Sequence, residues 1–349
     1  MRVGLVLGAG GVTGLAYHAA ALAALEHDVG WDPRSADIVT GTSAGSVVAA
    51  LLRRGIPAGD LSAIAVGDEP AHSPEAVIRA LNDRQAFPPL RLHRIVGRVP
   101  RLPSRAIVEA WLRRPWRVDP VGAVASIIPD GTLDLVEHTS ALDELLGSRW
   151  PDEELWICAV RQRDLRRIVL GRDMAAPLSP AVAASCAIPG YFRPVRIGAD
   201  TFVDGGVRSP TNADVLRRSA VDLAIIVSPM SGRDLRRLSG VAVVRRHARN
   251  RLEGERRRLT AAGIPSLVVE PGPEVIEVLG TDFMSDTRAA AIVEAARADT
   301  AAQLGAPEAR ALVARLTATR RPGDAPGRRH RLRATVRRLR DRRRHRPIH

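Results

Sequence analysis

A serine lies between two glycines at a spacing that suits a nucleophile, in the segment Gly41-Thr42-Ser43-Ala44-Gly45. A serine hydroxyl attacks an ester only when it projects clear of the backbone, near a base and near donors for an oxyanion. A sharp turn from a strand into a helix gives this exposure, and its crowding favours Gly41 and Gly45. Ala44 opens the predicted helix, whose positive end favours negative charge at Ser43. Because such a pattern arises by chance in about one chain in eight, the neighbouring elements must support it.

An aspartate is the better candidate for the base. Asp204 follows a predicted strand at 201–203 and precedes Gly205 and Gly206, so its carboxylate can approach another loop closely. A free aspartate, with a pKa of about 3.9, is a weak base and must be desolvated and hydrogen-bonded directly to the Ser43 hydroxyl. An Asp–Gly pair is also a common surface turn, so this segment alone leaves both interpretations open. The histidines are poorer candidates, each more simply a surface or core residue: His247 in an Arg-rich helix, His72, His93 and His138 in an irregular region, and His330, His345 and His349 in the tail.

A glycine-rich segment, Gly8-Ala9-Gly10-Gly11-Val12-Thr13-Gly14, follows the first predicted strand. One hypothesis is a dinucleotide site that binds a pyrophosphate at the start of the next helix. Such a site expects an acidic residue at the end of the following strand, where this chain has Gly41-Thr42-Ser43 instead. A second hypothesis is an oxyanion hole, in which the N–H groups of consecutive glycines point at a tetrahedral intermediate. A purely structural turn is the third interpretation, which the repeated requirement for small residues disfavours.

Strands and helices alternate around these segments. Apolar runs predict strands, and runs rich in Ala and Leu predict helices that are buried on most sides. The alternation predicts an α/β fold with three layers, α/β/α, and a mainly parallel central sheet. Ser43 and Asp204 would then both lie at carboxyl-terminal ends of strands. The predicted strands are 2–7, 37–41, 155–160, 167–170, 201–203, 223–228 and 266–270, and the predicted helices are 15–26, 44–54, 104–113, 140–146, 180–187, 212–218 and 288–303.

The composition changes twice along the chain. Residues 57–150 are rich in Pro and Arg and contain only short helical patterns. This predicts an irregular helical insertion, which either simply packs over the sheet or also serves as a lid or acyl-chain cavity. A linker at 322–327 precedes an Arg-rich run. We therefore expect one α/β domain over residues 1–310 and a basic tail over residues 311–349.

The net charge of +14 is concentrated in that tail. Residues 320–349 contain thirteen Arg and two Asp, a net charge of +11, which leaves +3 for the rest of the chain. Within Arg328–Arg346, Leu332, Val336 and Leu339 form a narrow apolar stripe on a basic helix. This pattern predicts attraction to an anionic membrane surface, and a solvated tail is the plain alternative. A nucleic-acid partner is the competing class, which the lack of interleaved aromatic residues disfavours.

Other features bear on compartment and cofactors. Residues 1–7 begin directly with a strand-like run and lack the features of a signal peptide, and no apolar run approaches the ~20 residues of a spanning helix. We therefore expect a cytoplasmic protein, at most peripheral to a membrane. Cys158 and Cys186 lie in apolar runs, which predicts two buried free thiols. No His/Cys cluster has zinc spacing, so we expect neither a metal nor a cofactor.

Three segments together resemble the patatin-like phospholipase family: Gly10–Gly14, Gly41–Gly45, and the run Ala184-Ser185-Cys186-Ala187-Ile188-Pro189-Gly190 leading into Val203-Asp204-Gly205-Gly206. The resemblance spans residues 1–305 and is weak between 57 and 150. It implies a patatin-like lipid acyl hydrolase domain in which Ser43 is the nucleophile and Asp204 its base, a Ser–Asp dyad without histidine. It also implies that the N–H groups around Gly10 and Gly11 form the oxyanion hole.

The chain departs from the family pattern at two positions. Ala9 stands where the family usually has Gly, and Thr13 stands where it usually has Arg or Lys. The second departure removes a positive charge near the loop, which weakens the expectation of a phosphate headgroup but leaves acyl transfer intact. The implied substrates are lipid acyl esters, namely phospholipids, lysophospholipids or acylglycerols. The alternatives are an acyltransferase that uses the same dyad and a non-enzymatic nucleotide-binding module built on Gly8–Gly14.

Overall fold

The computed structural model describes residues 1–73, 99–113, 119–135, 146–233, 235 and 240–318. Its centre is an eight-stranded sheet. The strands are β1 (Val3–Leu7), β2 (Ile38–Thr42), β3 (Glu154–Arg161), β4 (Arg166–Leu170), β5 (Val195–Ile197), β6 (Asp200–Asp204), β7 (Leu223–Val227) and β8 (Ser266–Val269). They are hydrogen-bonded in the order β5-β6-β3-β2-β1-β7-β8, with β4 paired to β3. The neighbours from β3 to β8 along this order are parallel, whereas β4, β5 and β6 pair antiparallel.

Helices cover both faces of the sheet because its central strands are apolar on both sides. In β1, Leu5 and Leu7 pack into one core, whereas Val6 packs into the core on the opposite face. The first core contains the helices α1, α2 and α9, and the second contains α7. The described helices are α1 (Gly11–His27), α2 (Ala44–Arg53), α3 (Ala58–Val66), α4 (Arg105–Arg113), α5 (Pro120–Ile127), α6 (Leu178–Cys186), α7 (Gly240–Thr260), α8 (Pro273–Leu279), α9 (Ala289–Gly305) and α10 (Pro307–Ala318).

The register of β3 brings the ends of β2 and β6 together. Along one edge of β3, Ile157 to Arg161 pair with β4. On the other edge, Thr42, the last residue of β2, pairs with Cys158, and the next residue, Ala159, pairs with Asp204 of β6. A strand has only two edges, and β4 occupies one edge of β3. β2 and β6 therefore pair with successive parts of the other edge of β3, where β6 begins to pair at the residue after the last partner of β2. Asp204 therefore lies beside the chain at Ser43, the residue after β2.

The predicted α/β fold with three layers and a mainly parallel sheet is confirmed. Two predicted helices were wrong, one in its first residue and the other in its type. The helix predicted at 15–26 begins at Gly11, because the Gly10 carbonyl already accepts the Gly14 N–H at 2.9 Å. The helix predicted at 212–218 is a 3₁₀ helix at Ala213–Arg218, which follows Asn212 in the left-handed region (φ 54°). Of the basic tail predicted at 311–349, residues 311–318 belong to α10 and residues 319–349 lie outside the described residues, as does most of the helix predicted at 140–146.

Two further predictions from the sequence concern the two cysteines and membrane-spanning helices. Cys158 and Cys186 are buried and free, as predicted. Burial raises the pKa of the Cys186 thiol to about 12, so this thiol stays protonated and unreactive at neutral pH. Among the described helices, none is both long and apolar enough to cross a membrane.

Candidate active site

Ser43 occupies the single residue between the end of β2 and the start of α2. Its backbone angles are φ 53° and ψ −126°. An L-residue with a Cβ adopts this region only under strain, at a cost of about 1–3 kcal/mol. The strained turn makes the side chain project away from the sheet, and it leaves Ser43 at the positive end of the α2 dipole.

Contacts with backbone atoms explain the glycines on both sides of Ser43. A Cβ at Gly41 would lie 2.5 Å from the Gly45 carbonyl oxygen, and a Cβ at Gly45 would collide with the carbonyl of Leu7. The start of α2 is therefore pressed against the ends of β1 and β2. Any side chain at these two positions would force α2 away from the sheet and move Ser43.

Asp204 ends β6 as a buried carboxylate, on the same edge of β3 as the end of β2. It accepts a hydrogen bond from the Gly206 N–H at 2.7 Å, and the Ser43 hydroxyl lies near the same carboxylate. Burial raises the pKa of Asp204 to about 6, and the Gly206 N–H and the Ser43 hydroxyl, which both favour the ionised carboxylate, oppose the rise. Gly205 allows the approach, because a Cβ there would collide with the carbonyl of Cys158 on β3. Asp204 is thus a stronger base than an exposed aspartate and still largely ionised at neutral pH.

The glycine-rich loop lines the same cavity as Asp204. Its first two N–H groups are occupied, since Gly8 donates to Val227 at 2.9 Å and Ala9 donates to Pro210 at 2.7 Å. The next two residues, Gly10 and Gly11, form the N-terminus of α1, where N–H groups have no acceptor within the helix. Both residues line the same cavity as Ser43. These amides can therefore receive negative charge that develops on an atom bound to Ser43.

The cavity has a volume of about 610 Å³ and is apolar. Its wall contains Ser43, Asp204 and the glycine loop together with residues of α5 and α7. Among the described residues that line it, only Asp204 and His247 carry an ionisable side chain. The lining residues are Ala9, Gly10, Gly11, Ser43, Pro120, Val121, Val124, Ala125, Ile128, Ile188, Pro189, Asp204, Gly206, Val207, Pro210, Met230, Val244, His247, Phe283 and Met284.

Several other residues of the predicted motifs do not line this cavity. Val12 and Ala44 line a narrow apolar crevice of about 20 Å³, which Ser43 also lines. Gly14 has room for a Cβ, whose nearest neighbour would be Pro229 at 3.7 Å. Gly14 is therefore not required by close packing, unlike Gly10, Gly11, Gly41 and Gly45, where a Cβ would lie within 3.0 Å of another atom. His247, which the sequence suggested to be an ordinary surface or core residue, lies in the cavity wall.

Three buried polar residues support the site, and sequence reasoning gave none of them a role. Ser185 on α6 accepts a hydrogen bond from the Ser43 N–H at 2.9 Å and donates one to the Cys158 carbonyl at 2.7 Å. The Asn212 amide donates to the Thr42 hydroxyl at 3.2 Å and to the Gly205 carbonyl at 3.3 Å, which joins the residues beside Ser43 and Asp204. The His18 Nε2–H donates a hydrogen bond to the Gly8 carbonyl at 2.7 Å. Burial lowers the pKa of His18 to about 4, so the imidazole stays neutral. Only Ser185 lay in a segment that the family resemblance had marked.

Replacing Ser185 with alanine should lower the free energy of unfolding by about 2–3 kcal/mol, because it leaves two buried backbone groups without a partner. Urea unfolding at neutral pH measures this effect. The matched control is Ser46→Ala, a second buried serine near Ser43. Its hydroxyl donates to the Ser43 carbonyl at 2.6 Å, but that carbonyl keeps the Ser46 N–H as a donor at 2.7 Å. Equal losses in the two variants would contradict a special role for Ser185.

The chain is similar to several known proteins. A family profile described as patatin-like phospholipase matches residues 5–217. The uncharacterized protein YqhO of Bacillus subtilis (strain 168) is 30% identical over 179 residues, which cover 49% of this chain and 53% of YqhO, so the match spans about half of that relative. VipD from Legionella pneumophila aligns with a TM-score of 0.40 and 14% identity over 87% of this chain and 66% of VipD. The type III effector protein ExoU aligns with a TM-score of 0.34 and 16% identity over 87% of this chain and 53% of ExoU.

Proposed function

Because the chain belongs to the patatin-like phospholipase family, we propose that it is a serine acyl hydrolase that cleaves lipid acyl esters through an acyl-enzyme on Ser43. Asp204 is the base in this proposal. The observation that carries it is a juxtaposition: a strained serine and a buried carboxylate open together onto one apolar cavity. Family membership supports hydrolysis of lipid esters in general, and the geometry supports these two residues as the reacting pair.

In the first half of the reaction, the Ser43 oxygen attacks the ester carbonyl carbon while Asp204 takes the hydroxyl proton. The carbonyl oxygen becomes an oxyanion, which the N–H groups of Gly10 and Gly11 stabilise at the positive end of α1. When the tetrahedral intermediate collapses, the bond to the leaving alcohol breaks. That alcohol receives the proton from Asp204, and the acyl group remains on Ser43.

In the second half, water attacks the acyl-enzyme and Asp204 takes one proton from it. A second tetrahedral intermediate forms against the same N–H groups. Its collapse breaks the bond to the Ser43 oxygen, which takes the proton back from Asp204. The fatty acid leaves and both residues return to their starting protonation states. A pKa of about 6 suits Asp204 for both proton transfers, because a general base is most effective when its own pKa lies near the ambient pH.

The cavity wall supports an acyl chain as the part of the substrate that is bound most extensively. Its lining is mostly apolar, which suits a hydrocarbon chain. Among the described residues that line the cavity there is no arginine to pair with a pyrophosphate or a phosphate headgroup. This favours acyl esters over a dinucleotide, and we expect acylglycerols to be cleaved at least as fast as phospholipids that carry the same chains.

The proposal is tested by a fluorophosphonate probe together with a panel of lipids. We expect the probe to form one covalent adduct, on the peptide that contains Ser43, because the probe phosphorus takes the place of the ester carbonyl. We also expect release of free fatty acid from mono- and diacylglycerols and from phospholipids. An adduct on a different serine, or no adduct and no fatty acid release, would contradict the proposal.

An acyltransferase would form the same adduct and must be separated by its product. The panel is therefore repeated with excess glycerol as the acceptor. Free fatty acid as the main product supports the hydrolase, whereas acylated glycerol as the main product shows that an alcohol outcompetes water.

A further inference from the structure

Exposed aliphatic side chains surround the mouth of the cavity. Val121 and Val124 of α5 and Val244 of α7 line the cavity and are also exposed to solvent. Ile127 and Val243 extend this surface along the same two helices, and both are exposed. We call these five residues, together with Val99 and Leu102, the apolar rim.

The segment at 99–102 belongs to the rim because it runs beside the end of α5. The Arg101 N–H donates to the Ile127 carbonyl at 2.8 Å. On either side of Arg101, Val99 is 85% exposed and Leu102 is 90% exposed. The rim holds seven of the ten large hydrophobic side chains that are exposed in the described residues. A cluster of this kind marks a binding surface more often than isolated exposed residues do.

We propose that the apolar rim docks on a lipid surface and delivers the acyl chain from that surface to Ser43. This rests on the proposed function and names the partner of the same site. Ser43 is only 6% exposed, so an ester must enter the cavity to react. Because the rim and the cavity lining are continuous through Val121, Val124 and Val244, an acyl chain moves from lipid to Ser43 without crossing water.

The features of the rim favour lipid over a protein partner. Energetically important residues in protein interfaces are enriched in aromatic residues, whereas all seven rim residues are aliphatic. A protein seated on the rim would also close the cavity that the substrate must enter. Binding by insertion of apolar side chains can be distinguished experimentally from attraction of a basic segment. Insertion requires no anionic lipid, and the binding is not lost when salt is added.

The test is binding to phosphatidylcholine vesicles, which carry no net charge, at about 0.5 M salt, where charge attraction is screened. The variant Leu102→Glu/Val243→Glu changes two rim residues that do not line the cavity. We expect it to bind these vesicles at least about tenfold more weakly than wild type, because it replaces buried aliphatic contacts with charges. Turnover of a soluble short-chain ester should stay within about twofold of wild type, since surface substitutions of this kind change stability little.

The matched control is Ala291→Glu/Ala314→Glu, which makes the same charge change on exposed positions of α9 and α10. It should bind vesicles as wild type does. Unchanged binding by the rim variant would overturn the proposal and leave the hydrolase intact. Wild-type binding that needs anionic lipid and is lost in salt would also overturn it, in favour of the basic tail. If wild type turns over no ester, the proposed function is wrong. The comparison of vesicle binding between wild type and the rim variant still shows whether the rim binds lipid.

Discussion

Replacing Ser43 with alanine should lower kcat on a soluble short-chain ester by at least about 10⁴-fold, because the acyl-enzyme has no oxygen on which to form. The cavity and the fold should be unaffected, since alanine keeps the Cβ and only the hydroxyl is lost. The rate of release of p-nitrophenol from an acetate or butyrate ester measures the effect. Circular dichroism and thermal unfolding show whether the fold is retained. Full activity in the variant would remove Ser43 from the mechanism.

A second variant, Ser43→Gly, tests the strain at the same residue. At φ 53° and ψ −126°, a residue with a Cβ raises the free energy of the folded state by about 1–3 kcal/mol, and glycine avoids this strain. Glycine loses more conformational entropy on folding, which offsets about 0.5–1 kcal/mol of that gain. Ser43→Gly should therefore be as inactive as Ser43→Ala and more stable by about 1 kcal/mol. A glycine variant less stable than the alanine variant would mean that the turn is not strained.

The sequence was sufficient for the local parts of this molecule because they obey local rules. Alternation of apolar strands and Ala-rich helices predicted the three-layer fold, and the structure confirms it. The turn at Ser43 was predictable from Gly41 and Gly45, because the steric demands of a strand-to-helix turn act within five residues. Placing Asp204 against Ser43 needed the family resemblance, since the contact depends on how β2 and β6 share one edge of β3.

What the sequence did not predict depends on long-range packing. Ser185 bonds a residue 142 positions away, and Asn212 bonds one 170 positions away, so neither partner can be inferred from neighbouring residues. His247 was assigned to an Arg-rich helix, correctly, but the side of that helix that meets the cavity depends on where α7 packs. The apolar rim joins three separate segments, 99–102, α5 and the start of α7, none of which is unusual by itself.

Replacing Asp204 with asparagine should lower kcat/KM by about 10³-fold or more, because the amide cannot take the proton from Ser43. The shape and the hydrogen bond from the Gly206 N–H are kept, since the amide oxygen can still accept it. In wild type, kcat/KM should rise with pH through about 6 and then level off, because only the ionised carboxylate is a base. The residual activity of the variant should lack this rise.

The same substitution should make the protein more stable at neutral pH. Asp204 has its folded pKa raised from 3.8 to about 6, so the buried charge destabilises the folded state whenever the group is ionised. That displacement corresponds to about 3 kcal/mol at most. Wild type should gain stability as the pH falls from about 6 to about 4, whereas Asp204→Asn should not. The advantage of the variant is then full above pH 6 and disappears by about pH 4.

Two controls make the assignment of the base specific. Asp200→Asn makes the same chemical change at the other end of β6, where Asp200 pairs with Arg161 at 3.3 Å and Arg163 at 2.8 Å, and it should keep activity near wild type. His247→Gln removes the imidazole from the cavity wall and should keep the rise near pH 6. If His247→Gln abolished that rise while Asp204→Asn stayed active, histidine would be the base. Loss of activity together with gain of stability, in Asp204→Asn alone, is what a buried catalytic carboxylate requires, because the burial that raises its basicity also destabilises the folded protein.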